Sequence, residues 1–179
     1  MARYRDPFDP SIEFGPSNFE RRHALVASGS MVLPFDITIG ALWTFRSQLP
    51  WTATAGVDIN KDGFNSDLVP RTKRNAGSRT LDLAAINAWR AANGRSAIPA
   101  NQIQSSRINN AGVRVSKRVR SAGDRTIDVL AQAFNVFNTR NLQGQFGSGR
   151  VTSAFSDSFG KILSARSARQ IELAVRATW

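Results

Sequence analysis

The sequence contains no cysteine and only one histidine among its 179 residues. Without cysteine the chain can form neither a disulfide framework nor a thiolate metal site. A single histidine, His23, excludes a histidine metal cluster, and we expect it to lie at the rim or surface where a strand begins. Phosphate-loop, GxSxG and HExxH motifs and a convincing pair of catalytic carboxylates are also missing, so the sequence does not predict an enzyme.

Long apolar runs are missing as well. No stretch approaches the roughly 18 apolar residues of a membrane helix, and the first residues have no apolar core of a signal peptide. Acidic residues are scarce: 24 Lys and Arg face 13 Asp and Glu, for a net charge of +11. A soluble, basic, β-rich module that binds nucleic acid or another polyanion is therefore one interpretation. The basic residues are scattered, which favours solvated loops and a polar interior.

Five segments of the sequence alternate with a period of two, as strands do. In the third segment Val113, Val115 and Val119 share one face, whereas Arg114 and Arg118 share the other. The segments are residues 22–33, 36–47, 111–120, 125–137 and 169–179.

The connections between these segments alternate between short and long. Tight turns occur around Pro34 and at residues 121–124, whereas residues 48–110 and 138–168 are long and polar. This asymmetry is typical of outer-membrane barrels. We therefore predict an all-β, antiparallel, up-and-down transmembrane β-barrel segment of about five strands. Residues 1–20, 48–110 and 138–168 would be extracellular. The arginines that suit a wet lumen are Arg46, Arg114, Arg118 and Arg176.

Residues 81–95, LDLAAINAWRAANGR, predict a short amphipathic helix within the first long loop. Its apolar residues recur at helical spacing among alanines, and Asn93 with Gly94 would end it. The asparagines of AFNVFNTRNL, which are Asn135, Asn138 and Asn141, are expected to cap and turn the chain where a strand ends.

The string DINKDGFNSD, residues 58–67, is the most specific chemical motif. Oxygen-bearing side chains at alternate positions, followed by Gly63, match the first half of an EF-hand loop. Val69 stands where the bidentate glutamate should be. Calcium binding and an Asx-rich turn are therefore both open interpretations. The calcium ligands would be Asp58, Asn60, Asp62 and Asp67.

Six segments in the same order resemble the last strands of TonB-dependent receptors of the Oar-like type. They include an RHR-like strand start, an LPFG-like turn and a D.NGDG...D loop. The resemblance spans roughly residues 14–179, and the order of the motifs makes it more specific than any one of them. The segments are RRHALVASGSMVLPFDITIGALWTFRSQLPW, GVDINKDGFNSDLVPRTKRN, INAWRAANG, VRVSKRVRSAGDR, AQAFNVFNTRN and SARQIELAVRATW.

The resemblance implies a barrel of about 22 strands with an N-terminal plug, which imports bulky substrates with energy relayed by TonB. This chain has about five such strands and no plug or TonB box. We expect it to be the C-terminal portion of a longer receptor, not competent for transport alone. Its partners would be outer-membrane lipid, the barrel-assembly machinery and the remaining strands and plug. TonB would act only indirectly, through the plug, and nucleic acid is not expected as a partner.

The last segment, RQIELAVRATW, alternates cleanly and finishes on a large aromatic residue. Such a strand resembles the signal by which the barrel-assembly machinery recognises its clients. The aromatic would lie in the periplasmic interface girdle. The residues of this expected assembly signal are Ile171, Leu173, Val175, Ala177 and Trp179.

Overall fold

A computed structural model describes residues 9–120, 125–143 and 149–179 of the chain. Its main element is a five-stranded antiparallel sheet whose strands neighbour one another in chain order. This arrangement confirms the all-β, up-and-down prediction. The strands are β1 (Ala24–Leu33), β2 (Ile37–Arg46), β3 (Ile108–Arg120), β4 (Thr126–Phe134) and β5 (Gln170–Thr178).

Two strand boundaries differ from the sequence prediction by three residues, and the others differ by two residues or fewer. Strand β3 begins at Ile108, inside the segment that we assigned to the long loop. Strand β4 ends at Phe134 and not at residue 137, because Asn135 adopts a left-handed conformation with φ of 50° that leaves the sheet. The predicted turn at residues 121–124 lies outside the described residues.

The turn between β1 and β2 was predicted around Pro34. Leu33 pairs with Ile37 across it, and Phe35 and Asp36 have φ values of 67° and 58°. Left-handed residues match the twist of a hairpin, although glycine is normally favoured there. The Asp36 carbonyl accepts a hydrogen bond of 3.1 Å from the Arg118 N–H. That bond connects the turn to the neighbouring β3.

The register of the sheet separates two faces. On β2, Ile39 pairs with Met31 on one side and with Val115 on the other, so this row is apolar; the same face also carries Lys117, beside Ile37. The next position, Gly40, pairs with Ser30 and Arg114 on the opposite face. We call these the apolar face and the polar face. Alternation of side chains along each strand therefore gives one face for lipid and one for water.

The outermost strands of the sheet are β1 and β5, which pair with no other described strand on their outer sides. Leu173 of β5 is 80% exposed. Unpaired backbone groups cannot remain exposed in a lipid environment. In a lipid environment these two edges would have to be covered.

The residues outside the sheet form a second compact unit, composed of residues 1–22, 48–106 and 142–165. We call it the loop unit. The sheet unit comprises residues 23–47, 107–141 and 166–179. Sequence reasoning predicted two polar loops with one helix, and did not predict that distant segments would share a core. The core residues are Trp51, Ala53, Val69, Ile86, Ile98, Ala154 and Phe159.

The predicted helix is present in the loop unit as α1, Leu83–Ala92. The Asp82 carboxylate accepts a hydrogen bond from the Ala85 N–H at 2.8 Å and caps its first turn. Asn93 is the C-cap, and Gly94 follows with φ of 68°. The other helical elements are short 3-10 turns at Pro10–Glu13, Ala76–Ser78 and Ala100–Gln102. Within the described residues, no helix has the length and apolarity needed to cross a membrane.

Arg90 of α1 is the largest fully buried side chain of the loop unit. Its Nε donates to the Ser96 carbonyl at 2.6 Å, and its Nη1 donates to the carbonyls of Ala154 and Ser156 at 2.5 and 2.9 Å. Its Nη2 contacts the Asp157 carboxylate at 2.8 Å. One guanidinium thereby joins the helix to a segment more than sixty positions later in the chain.

Replacing Arg90 with methionine should destabilise the loop unit by at least about 2 kcal/mol, because three carbonyls, that of Ala154 among them fully buried, would lose a charged donor. Hydrogen exchange followed by mass spectrometry should become faster in residues 83–92 and 150–160. The strands should be unaffected.

Asp157→Asn is the matched control, because the Asp157 side chain is 76% exposed. Its effect should remain below about 1 kcal/mol, as for other exposed ion pairs. Equal exchange rates in the Arg90→Met variant and the wild type would contradict the structural role of Arg90.

Candidate functional site

The polar face of the sheet carries two rows of charged and amide side chains. In the first row Arg118, Asp128 and Arg176 are aligned across β3, β4 and β5. The Arg118 guanidinium donates to both Asp128 carboxylate oxygens, at 2.7 and 3.3 Å. This bidentate pair leaves Arg176 as the unmatched cation of the row.

The second row lies four residues further along the strands and contains Arg114, Gln132 and Glu172. A neutral amide stands between the two charges. Neither Arg114 nor Glu172 forms an ion pair with another described residue. The predicted lumenal arginines Arg46, Arg114, Arg118 and Arg176 all lie at polar-face positions of the register.

Two shallow cavities of about 250 and 320 Å³ adjoin this second row. Both are lined by Asn110 and Phe134. Arg114 and Gln132 line the first cavity, and Glu172 lines the second. The polar face therefore offers hydrogen-bond donors, acceptors and charges of both signs to a solute or to another polypeptide segment.

The three asparagines that were predicted to cap and turn the chain lie at the ends of strands. Asn135 and Asn138 have φ values of 50° and 51°. The Asn141 side-chain oxygen accepts from the Asn109 N–H at 2.7 Å, and that of Asn138 accepts from the Arg169 N–H at 3.1 Å. These contacts connect the chain after β4 to the starts of β3 and β5. Their geometry agrees with the predicted capping and turning role.

His23 lies just before β1 and is exposed, as predicted. Its backbone N–H donates to the Ser47 hydroxyl at 3.1 Å, and its carbonyl accepts from the Ser47 N–H at 2.9 Å. Both contacts involve only the backbone of His23, so they do not indicate a chemical role for its imidazole.

The predicted assembly-signal residues of β5 lie on the apolar face. They align with the apolar positions of β4: Leu173 pairs with Ala131, and Val175 pairs with Val129. Trp179 follows β5 and is 92% exposed. On β2 another aromatic, Trp43, shares this face, and its indole N–H donates to Asn109 at 2.7 Å. Aromatic residues that combine an apolar ring with a polar N–H suit a membrane interface.

In the calcium-like loop, every predicted ligand accepts backbone hydrogen bonds. Asp58 accepts from the N–H groups of Asp62 and Gly63 at 3.1 and 2.8 Å. Asn60 also accepts from Asp62 at 3.1 Å, and the Asp62 carboxylate accepts from the Phe64 N–H at 2.9 Å. These are the contacts of an Asx-rich turn.

Asp67 returns to the same loop from its far end. It is buried, and its Oδ2 accepts from the N–H groups of Ile59 and Asn60 at 2.6 and 3.1 Å. Among the described residues there is no group of three or more His, Cys, Asp or Glu side chains that could hold a metal ion. Calcium binding stays a prediction.

The fold and the two faces define the class of this protein: part of an up-and-down β-barrel that crosses a membrane with its strands. A family profile, described as an outer membrane beta barrel domain, matches residues 1–172. The chain belongs to that family, and its location is the bacterial outer membrane. Proteins of this family are typically not enzymes. This location excludes the alternative of a soluble module.

Comparison with curated proteins and with solved structures gives no significant match. The family profile therefore identifies the architecture and the location.

Sequence reasoning missed the buried arginines Arg90 and Arg150. Both lie in the loop unit and donate mainly to backbone carbonyls of distant segments. Arginine in a polar loop is normally interpreted as solvated, and the signal for a packed face beside Arg90 was the helical spacing of Leu83, Ile86 and Trp89.

Replacing Asp67 with alanine should destabilise the loop at residues 58–67 by about 1–3 kcal/mol, because two N–H donors would lose their buried acceptor. Asp67→Asn should remain close to the wild type, since both donors use the same oxygen and an amide oxygen can replace it. Thermal unfolding in the presence of a calcium chelator measures both effects.

Calorimetric titration with calcium then separates the two interpretations of the loop. The Asx-rich turn predicts no binding heat in either protein. Calcium binding predicts heat in the wild type that Asp67→Asn weakens, because the charge of the ligand is lost.

Proposed function

We propose that the chain forms part of the barrel wall of a TonB-dependent receptor of the Oar-like type, which takes up bulky substrates across the outer membrane. The role is one of transport and not of catalysis. The ordered series of six motifs supports the receptor type. The observation that carries the proposal is the register of the sheet, which places apolar residues on one face and Arg114, Arg118 and Arg176 on the other.

The five strands of this sheet are too few for a closed barrel, which needs at least about eight. We therefore propose that strands of the parent receptor cover β1 and β5, and that a plug faces the polar side. The energy of TonB would reach the barrel only through that plug. Sequencing of the reading frame that contains this chain should reveal the additional strands and the plug. A frame that encodes a complete barrel without a plug would contradict the receptor type.

In this arrangement the segments 48–110 and 138–168 are extracellular, as the alternation of short and long connections suggests. Both leave the sheet at the end opposite the Pro34 turn. Substrate choice in such a receptor would depend on these segments and on the plug. The cavities of the polar face would contact the plug or the passing substrate.

The apolar face gives a direct test of membrane insertion. Val115→Arg places a charge on that face of the central strand β3 and should cost about 2–4 kcal/mol near the bilayer midplane. Ser116→Arg is the matched control, because the adjacent side chain belongs to the polar face. The fraction of heat-modifiable protein in outer membranes should fall for Val115→Arg alone.

Both variants should be made in the receptor that contains the chain. Equal outer-membrane fractions for the two would show that the faces of the sheet do not meet lipid and water as proposed.

We further propose that Ile171, Leu173, Val175, Ala177 and Trp179 act as an assembly signal. Their support is the shared apolar face of the exposed strand β5. Trp179→Ala should reduce the assembled, heat-modifiable protein several-fold at equal synthesis, because an aromatic anchor would be lost. Thr178→Ala, on the other face, should have little effect. Unchanged assembly of Trp179→Ala would remove Trp179 from the signal.

A further inference from the structure

The smaller cavity of the polar face, of about 250 Å³, lies over the middle of the sheet. Glycine occupies two of the polar-face positions that line it, Gly40 of β2 and Gly112 of β3. A Cβ atom at Gly112 would meet its nearest neighbour, the Ala133 carbonyl oxygen, at 3.5 Å, and one at Gly40 would meet nothing closer than 3.9 Å. Crowding therefore does not require either glycine. The lack of a side chain at both positions leaves open space above the backbone.

Two apolar side chains flank Gly112 on the polar face. Leu42 of β2 pairs with Gly112, and Phe134 follows Gln132 by two positions on β4, so the same register places it on the other side of Gly112. Both side chains line the cavity, with Leu42 50% and Phe134 36% exposed. Because two strand spacings separate β2 from β4, their backbones are about 10 Å apart. That distance leaves room for one flat apolar group above Gly112.

The polar side of the same cavity is formed by Arg114 and Gln132, which are direct partners across β3 and β4. Arg114 forms no ion pair with another described residue. The carboxylate of its row, Glu172, lies one strand further away than Gln132, and Asp128 of the other row is bound to Arg118. A guanidinium beside an amide offers N–H donors to both oxygens of a carboxylate. The cavity thus combines an apolar slot with a cationic end.

We propose that this cavity is a subsite for a carboxylate attached to an aromatic ring, at one end of the transported substrate. The carboxylate binds Arg114 and Gln132, and the ring lies over Gly112 between Leu42 and Phe134. A cavity of about 150 Å³ is enough for benzene. The volume of about 250 Å³ therefore accommodates a ring with its carboxylate but not a bulky substrate as a whole. This assignment rests on the proposed function, because a substrate meets the polar face only inside the barrel.

Binding is tested in the full-length protein that contains the chain, purified in detergent micelles. The probe is 3-phenylpropanoate, and ligand-observed nuclear magnetic resonance gives its dissociation constant. The uncharged 3-phenylpropanamide should bind about tenfold more weakly, because it lacks the charge that pairs with Arg114. Acetate should also bind about tenfold more weakly, because it lacks the apolar ring. Equal affinities for the acid and the amide would overturn the proposal.

Two variants separate the charge from the slot. Arg114→Gln should weaken the binding of 3-phenylpropanoate about tenfold and leave the amide nearly unaffected. Gly112→Val should weaken the binding of both probes, because its side chain occupies the space between Leu42 and Phe134. A Cβ at this position makes only ordinary contact with Ala133, and β-branched residues suit strands, so the sheet should tolerate valine. Heat-modifiable mobility verifies the fold of each variant. Unchanged binding in the folded Gly112→Val variant would place the probe elsewhere and overturn the proposal.

Arg176→Gln is the matched control. Arg176 is another polar-face cation without an ion pair to a described residue, and it is not one of the residues that line the cavity. Its dissociation constants should match those of the wild type. No detectable binding of 3-phenylpropanoate to the wild type at millimolar concentrations would overturn the proposal in favour of a cavity that a plug side chain fills.

Failure of this site and failure of the receptor function give different results. A protein that assembles in outer membranes but does not bind the probe would refute the subsite alone. A protein that binds the probe in micelles but does not enter outer membranes would refute the proposed receptor function.

Discussion

Backbone pairing between the five strands is the interaction on which the remaining features depend. Pairing fixes which residues stand side by side, and a slip of one residue would exchange the two faces. With the observed register, Val115 lies between Ile39 and Ala131, whereas Arg118 lies beside Asp128. A single register thus creates both a surface that tolerates lipid and a surface that needs water. Membrane location and a polar, charged interior are two results of the same constraint.

Buried polar contacts have the corresponding role in the loop unit. Arg90 binds carbonyls of a distant segment, and Asn75, with φ of 56°, donates from one amide group to the Pro16 carbonyl and to Asn18. Its backbone N–H also binds the Thr52 hydroxyl at 2.9 Å. Such contacts specify one arrangement of segments that have few apolar residues, because an unsatisfied buried polar group is costly. Arg150 likewise donates to the carbonyls of Gly160 and Gln104, at 3.0 and 2.7 Å.

The elements that sequence analysis predicted are those with local causes. The period of two located all five strands, and Asp82 with Gly94 delimits the helix through contacts within a few residues. The errors also have physical reasons. Strand β3 begins three positions early because Ile108 pairs with Arg46, a residue on another strand. The shared core of the loop unit went unnoticed because Ile86 and Phe159 are far apart in sequence.

The sequence by itself determined which residues are apolar, which are charged and how they alternate. These properties decided that the chain forms strands with one apolar face, because side-chain direction follows from strand geometry alone. Only the tertiary structure decided that Arg118 and not Arg114 has an acidic partner among the described residues, that Arg90 is buried, and that Trp51 lies against Arg150. Each of these facts depends on contacts between segments that are distant in sequence. Local residue preferences cannot specify such contacts, because packing and loop closure over the whole chain determine them.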